Sequence, residues 1–172
     1  MKATVIKPIV DMHDDNQPLS TQLLYGEEVT VHNAEKNIGE KELNYVWVTA
    51  AYDGYQGYIQ KSALAFETYE TTHMVSSQGA YVHSKPDVKT RPHFHLPFGA
   101  NIVIKDPDVV DSGFVYAENL GWVYKRNIMS LDTTKPDFVE TANGFLNTAY
   151  LYGGKSHQGI DCSALVQMSL KL

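Results

Sequence analysis

Cys162 is the only thiol in a chain of 172 residues, and it sits between Asp161 and Ser163 where the polar run GGKSHQGID gives way to apolar Ala164, Leu165 and Met168. One cysteine makes neither an internal disulfide nor a multi-thiolate zinc site, so it is either a small buried hydrophobe or a reactive group. The apolar spacing predicts a helix starting near Asp161-Cys162, with Ser156 or Asp161 as the cap. There the unpaired backbone N–H groups and the positive end of the helix dipole would stabilise a thiolate. The glycine-rich run ahead of it is expected to be a flexible polar loop that leaves a cleft above the sulfur.

A thiolate nucleophile also needs a base that takes and returns its proton, and donors aimed at the oxyanion. All seven histidines precede Cys162. His157 is nearest, yet five residues upstream on a loop it is poorly placed to meet the sulfur and be oriented in turn, so a plain surface histidine is expected. His93 and His95 fall on one face of a strand as a metal pair would. No third ligand type stands near them, so a packed or solvated pair is expected, with no metal and no cofactor. Most of the eleven tyrosines are read as barrel core and strand faces.

The elements that must position Cys162 begin with a repeat. LLYGEEVTV (residues 23–31) matches LPFGANIVI (96–104), GYIQKSAL (57–64) matches GWVYKRNI (121–128), and VWV (46–48) pairs with FVY (114–116). Each unit is roughly 60 residues of short period-2 strands punctuated by Asp53-Gly54, Pro107-Asp108 and Ser112-Gly113, which predicts a small antiparallel barrel. Gly57 and Gly121, at matching places, predict close backbone approach or a barrel corner. Residues 69–72 join the two. After residue 131 the pattern turns helical. Asp132 and Thr134 are candidate caps and Pro136 lies near the first turn. Phe138, Val139, Ala142, Phe145, Leu146 and Ala149 have helical spacing over 136–150, and Gly153-Gly154 is a stop.

Composition bounds the function. With 43% hydrophobic residues the chain can bury a core, and a net charge of −6 argues against a phosphate-tracking surface. No run approaches a membrane span, and MKATVIKPIVDMHDD breaks at Lys7-Pro8 before a signal-peptide core could form, so a cytoplasmic location is expected.

Read together, AYLYGG, GIDCSAL and the paired barrels resemble the NlpC/p60 family of cell-wall cysteine peptidases that carry tandem bacterial SH3-like domains. The family pattern runs Pro-Tyr-x-Trp-Gly-Gly, a polar loop, then Gly-x-Asp-Cys-Ser-Gly-aliphatic. Tyr150, Gly153, Gly154, Gly159, Asp161, Cys162, Ser163 and Leu165 match it; Ala149, Tyr152 and Ala164 replace Pro, Trp and Gly. The resemblance implies a mainly β chain: SH3-like barrels at 1–68 and 72–131, then the first helices of a papain-like α+β catalytic domain at 132–172. It implies cleavage of the amide between γ-D-glutamate and a diamino acid in murein peptides. In that reading Cys162 is the nucleophile, Tyr150 stands near the oxyanion, and Asp161 and Ser163 hold the peptide amine, with help from an unspecified tyrosine or acid of YDGYQGY or YGEEV. Family members carry the catalytic histidine downstream of the cysteine. The chain is therefore expected to be C-terminally truncated and inactive alone, or else to act as a binding module for wall peptides or a protein partner. The helices at 136–150 and 162–172 should expose apolar stripes, each large side chain forfeiting about 1.5–3 kcal/mol in water. The second barrel, a second copy or a separate polypeptide carrying the missing sheet would cover them, or the last turn would be disordered.

Overall fold

The computed structural model describes residues 1–15, 18–38, 43–133 and 137–171. Its first unit contains β1 (Lys2–Val5), β2 (Ile9–Met12), β3 (Thr21–Leu24), β4 (Glu28–Ile38), β5 (Leu43–Ala50), β6 (Gln56–Gln60) and β7 (Leu64–Ala65). They form a five-stranded sheet in the order β6-β5-β4-β1-β7 with the β2-β3 hairpin laid against it. Alternate residues point inward, and Val5, Met12, Leu23, Val48 and Ile59 are fully buried between the two layers.

The second unit repeats the plan with β8 (His73–Val75), β9 (Gly79–His83), β10 (Phe94–Pro97), β11 (Asn101–Ile102), β12 (Phe114–Ala117), β13 (Gly121–Tyr124) and β14 (Ile128–Ser130). Its sheets run β10-β9-β13-β12 and β11-β8-β14 around Val75, Val82, Leu96, Val115 and Val123. Matching 3-10 turns at Lys61–Ala63 and Lys125–Asn127 close both units. The two repeat glycines behave as their spacing predicts. A Cβ on Gly57 would lie 2.8 Å from the His13 carbonyl oxygen, and one on Gly121 2.6 Å from that of His83. Only glycine lets these backbones cross so closely.

The remaining elements are α1 (Phe138–Gly144), the small hairpin β15 (Lys155–Ser156) and β16 (Gly159–Ile160), and α2 (Cys162–Lys171). They sit in the angle between the barrels. Leu24 of the first unit and Met74 and Phe98 of the second form one core cluster with Phe145, Ile160, Ala164 and Met168. The inner stripe of α2 is thus covered from within the chain, by both barrels. No described helix is long and apolar enough to cross a membrane.

Two expectations about this segment change. The first helix spans only Phe138–Gly144, and its cap is Asp137, whose carboxylate accepts from the Val139 N–H at 2.8 Å. Asp132 lies in the preceding turn instead; Thr134, Pro136 and Leu172 fall outside the described residues. The helix ends nine residues before Gly153 because Phe145 turns inward against Phe98, their rings edge to face at 5.4 Å, and Asn147 takes a left-handed φ of 68°. Phe138, Val139, Leu146 and Ala149 consequently stay exposed. Gly144, at the end of α1, has open space where a Cβ would be. Gly144→Ala is therefore expected to raise stability by about 0.5–1 kcal/mol, because alanine restricts the unfolded chain at no steric cost; a urea midpoint below that of the parent contradicts this.

Candidate active site

The second corrected expectation is the loop before Cys162. Residues 153–156 are buried, and the glycine-rich run folds as the β15-β16 hairpin, not as a flexible polar loop. Its anchor is Lys155, with a side chain only 1% exposed. The ammonium lies 3.4 Å from Asp53 Oδ2 and 3.6 Å from Glu27 Oε1, while Lys171 at the end of α2 reaches Glu27 Oε1 at 2.8 Å. Both ammonium groups stand 5.4 Å from the centroid of the Tyr52 ring. The backbone N–H of Lys155 donates to Gln22 Oε1 at 2.9 Å. Burial pushes the Glu27 carboxyl up, but the charges of Lys171 and Lys155, with hydrogen bonds from Lys171 and the Leu24 N–H, outweigh it and leave the group below its usual range. The acid of YGEEV and the Tyr-Asp pair of YDGYQGY thus dock the first barrel onto the elements that carry Cys162. A lysine between glycine and serine gives no sequence signal of burial, because its counter-ions lie more than a hundred residues away.

Cys162 is the first residue of α2 and is exposed. The residue before it makes this a helix start. Asp161 Oδ1 accepts from the Ala164 N–H at 2.7 Å and from the Ser163 hydroxyl at 2.8 Å, and Oδ2 accepts from the Gly153 N–H at 2.9 Å. Burial raises the Asp161 pKa, yet these bonds and that of the Ser163 N–H more than offset it, and the carboxyl sits below its ordinary value. Asp161 is the cap. Ser156 is not: its hydroxyl oxygen accepts from the Gln158 N–H inside the hairpin turn.

Tyr150 is 70% exposed and its backbone bridges in parallel to Ile160, which brings it beside the helix start. Tyr150, Asp161 and Cys162 line one open groove of about 390 Å³, together with Leu146 and Thr148. Ser163 does not line it; its hydroxyl is spent on Asp161. Tyr150, Cys162 and Asp161, the residues that the resemblance singled out, line this one groove, and Asp161 has most of its hydrogen-bonding capacity committed to the fold.

No histidine lines this groove among the described residues. His157 is not a plain surface residue. Its ring stacks on Phe145 at 4.3 Å, meets Phe98 edge-on at 6.1 Å, and donates from Nε2 to the Gly144 carbonyl at 3.2 Å. Burial lowers its pKa, only partly countered by that hydrogen bond, so the fold favours the neutral ring. The stability this contributes is complete above pH ~6.5 and falls as pH drops from there toward the folded value. Thermal unfolding from pH 7.5 to 5 should show the parent losing stability relative to His157→Phe; parallel curves would contradict it. His93 and His95 do not converge either. His93 bonds the Leu120 carbonyl and His95 packs on Tyr81. Among the described residues no three His, Cys, Asp or Glu side chains gather as a metal site would need.

The comparisons with known proteins agree with this arrangement. Two small β units followed by two short helices define a mainly β architecture that peptidases with bacterial SH3-like domains share. Residues 11–64 match the bacterial dipeptidyl-peptidase SH3 domain. The whole chain is 25% identical over 195 aligned residues to Dipeptidyl-peptidase 6 of Lysinibacillus sphaericus, of which it covers 69%. The solved structure of an NlpC/P60 family protein from Bacillus cereus ATCC 10987 shares the fold, with a TM-score of 0.75 at 19% identity over 99% of this chain and 72% of that one. The chain thus shares its fold with an NlpC/P60 family protein, and its first barrel matches a bacterial dipeptidyl-peptidase SH3 domain.

Proposed function

We propose that this chain carries the thiol half of a cysteine endopeptidase acting on murein stem peptides at the amide between γ-D-glutamate and the diamino acid. The observation that carries the reading is the exposed Cys162 at the start of α2, in one groove with Tyr150 and the capping Asp161. Attack by the sulfur on the scissile carbonyl would place the oxyanion beside the backbone N–H of Cys162 itself, since those of Ser163 and Ala164 serve Asp161, with the Tyr150 hydroxyl as the second donor. The departing amine must then receive a proton and a water must be activated to release the acyl group, which needs an acid-base group the described residues do not bring to the groove.

The chain by itself is accordingly expected not to turn over L-Ala-γ-D-Glu-diaminopimelate. Release of the diamino acid is the readout. Turnover that disappears in Cys162→Ala would refute the inactivity and support the nucleophile. A second reading follows from the same lack of a base: the barrels and the Cys162 groove hold a wall peptide without cutting it. Calorimetric binding of the tripeptide without turnover, weakened in Tyr150→Ala, favours that module. Absence of both binding and turnover removes both readings for this chain.

A further inference from the structure

Of the two places expected for most of the eleven tyrosines, strand faces hold several and the fully buried core holds none, and some gather on one face. In the sheet β10-β9-β13-β12, Ala80, Val82, Leu96, Val115, Ala117 and Val123 point into the second barrel. Strand alternation therefore turns the intervening residues outward. In most solvated sheets those positions are polar or charged. Here they include His95, Tyr81, Trp122, Tyr124 and Tyr116, and none of these is Asp, Glu, Lys or Arg, although the chain as a whole carries a net charge of −6.

The rings are organised in pairs. Tyr81 and His95 are cross-strand partners with centroids 4.7 Å apart, and Tyr116 and Trp122 are partners at 5.5 Å. On the same face Phe114, 2% exposed, is held edge-on between Tyr124 at 5.3 Å and His83 at 5.4 Å, so this end of the ring cluster is packed and rigid while Tyr81 and Tyr116 remain open. Tyr81 is 56% and Tyr116 47% exposed. The hydroxyls of Tyr81, Tyr116 and Tyr124 and the indole N–H of Trp122 have no protein partner among the described residues. Tyrosine and tryptophan that pack against protein usually find one.

We propose that this face is a carbohydrate-binding platform for a short, neutral oligosaccharide of pyranose rings. Open aromatic faces with negative quadrupoles attract the C–H faces of a sugar ring, and the unpaired phenol and indole groups at their edges meet its hydroxyls. A phosphate-bearing or acidic polymer would need cations on the strands, and these five positions supply none, so the charge pattern selects a neutral ligand. Tyr81 and Tyr116 stand two strands apart and two residues out of register, about 12 Å between Cα atoms, which suits a chain of sugars better than one ring. The platform is independent of the peptidase reading, since it shares no residue with the Cys162 groove.

The test is titration of the 15N-labelled chain with chitotetraose and, separately, cellotetraose. Saturable shifts confined to amides around Tyr81, His95, Tyr116 and Trp122 are expected for at least one of them. The Tyr81→Ala/Tyr116→Ala variant should bind it at least about tenfold more weakly with an unchanged urea midpoint, whereas Tyr116→Phe, which keeps the ring, should stay within roughly threefold. The proposal is overturned by no shifts from either sugar up to roughly 10 mM, by shifts elsewhere, or by equal affinity in the double variant. It is likewise overturned if a peptide or a second copy of the chain perturbs these residues while both sugars leave them unmoved.

Discussion

Replacing Lys155 with alanine is expected to cost about 3–5 kcal/mol of stability, the largest loss from any single side chain outside the hydrophobic cores. The ammonium is 1% exposed and holds Asp53 and shares Glu27, so its removal leaves the Asp53 carboxylate, itself 7% exposed, without a cation within hydrogen-bonding reach. An uncompensated buried charge costs far more than the lost attraction between the partners. Lys105, which pairs with Glu118 at 3.1 Å but is 67% exposed, supplies the contrast: Lys105→Ala should change stability by less than about 1 kcal/mol. Urea unfolding of the two variants beside the parent decides the matter, and equal midpoints for both would remove the argument. The cluster also sets an acid limit. Because the Glu27 pKa is lowered in the fold, its stabilisation is present above pH ~4.5 and is lost as pH falls from there through the folded value.

Asp161→Ala is expected to cost about 2–3 kcal/mol and to loosen the start of α2. A helix cap alone contributes about 1 kcal/mol. This carboxylate also satisfies the Gly153 N–H across the hairpin, so the truncation leaves a second buried donor unpaired. Asp161→Asn keeps an acceptor at Oδ1 and should lose about half as much. Hydrogen exchange separates this local effect from a global one. The amides of Gly153 and Ala164 should lose protection in the alanine variant while those of β9 and β13 keep theirs, and uniform loss would mean that Asp161 acts only through overall stability. Since the folded pKa is depressed, the contribution is full above pH ~3.8 and disappears as pH falls below it.

The two variants probe the same question from opposite sides. Asp161 holds Cys162 at the helix start through bonds within ten residues, and Lys155 holds the hairpin that carries Asp161 against the first barrel. If the thiol is a nucleophile, both are positioning residues for it, and neither touches the reacting atoms.

Local chemistry made much of this protein readable from its residues alone. Strand alternation around the two matched runs at 23–31 and 96–104 depends only on local period, and strands of both units run through those stretches; the glycines at 57 and 121 were legible from the repeat, although the carbonyls they approach, His13 and His83, lie about 40 residues away. The helix start at Asp161-Cys162 is equally local, because a cap needs only an acceptor and the next three N–H groups. What depends on distant partners was not readable. The length of α1 was decided by Phe98 drawing Phe145 inward, the fate of the glycine-rich run by Glu27 and Asp53 capturing Lys155, and the direction of His157 by a stack of rings from three elements. Propensity and spacing report what a segment can do with its neighbours in sequence. Buried charge and ring packing are settled only when segments far apart in the chain exclude water between them.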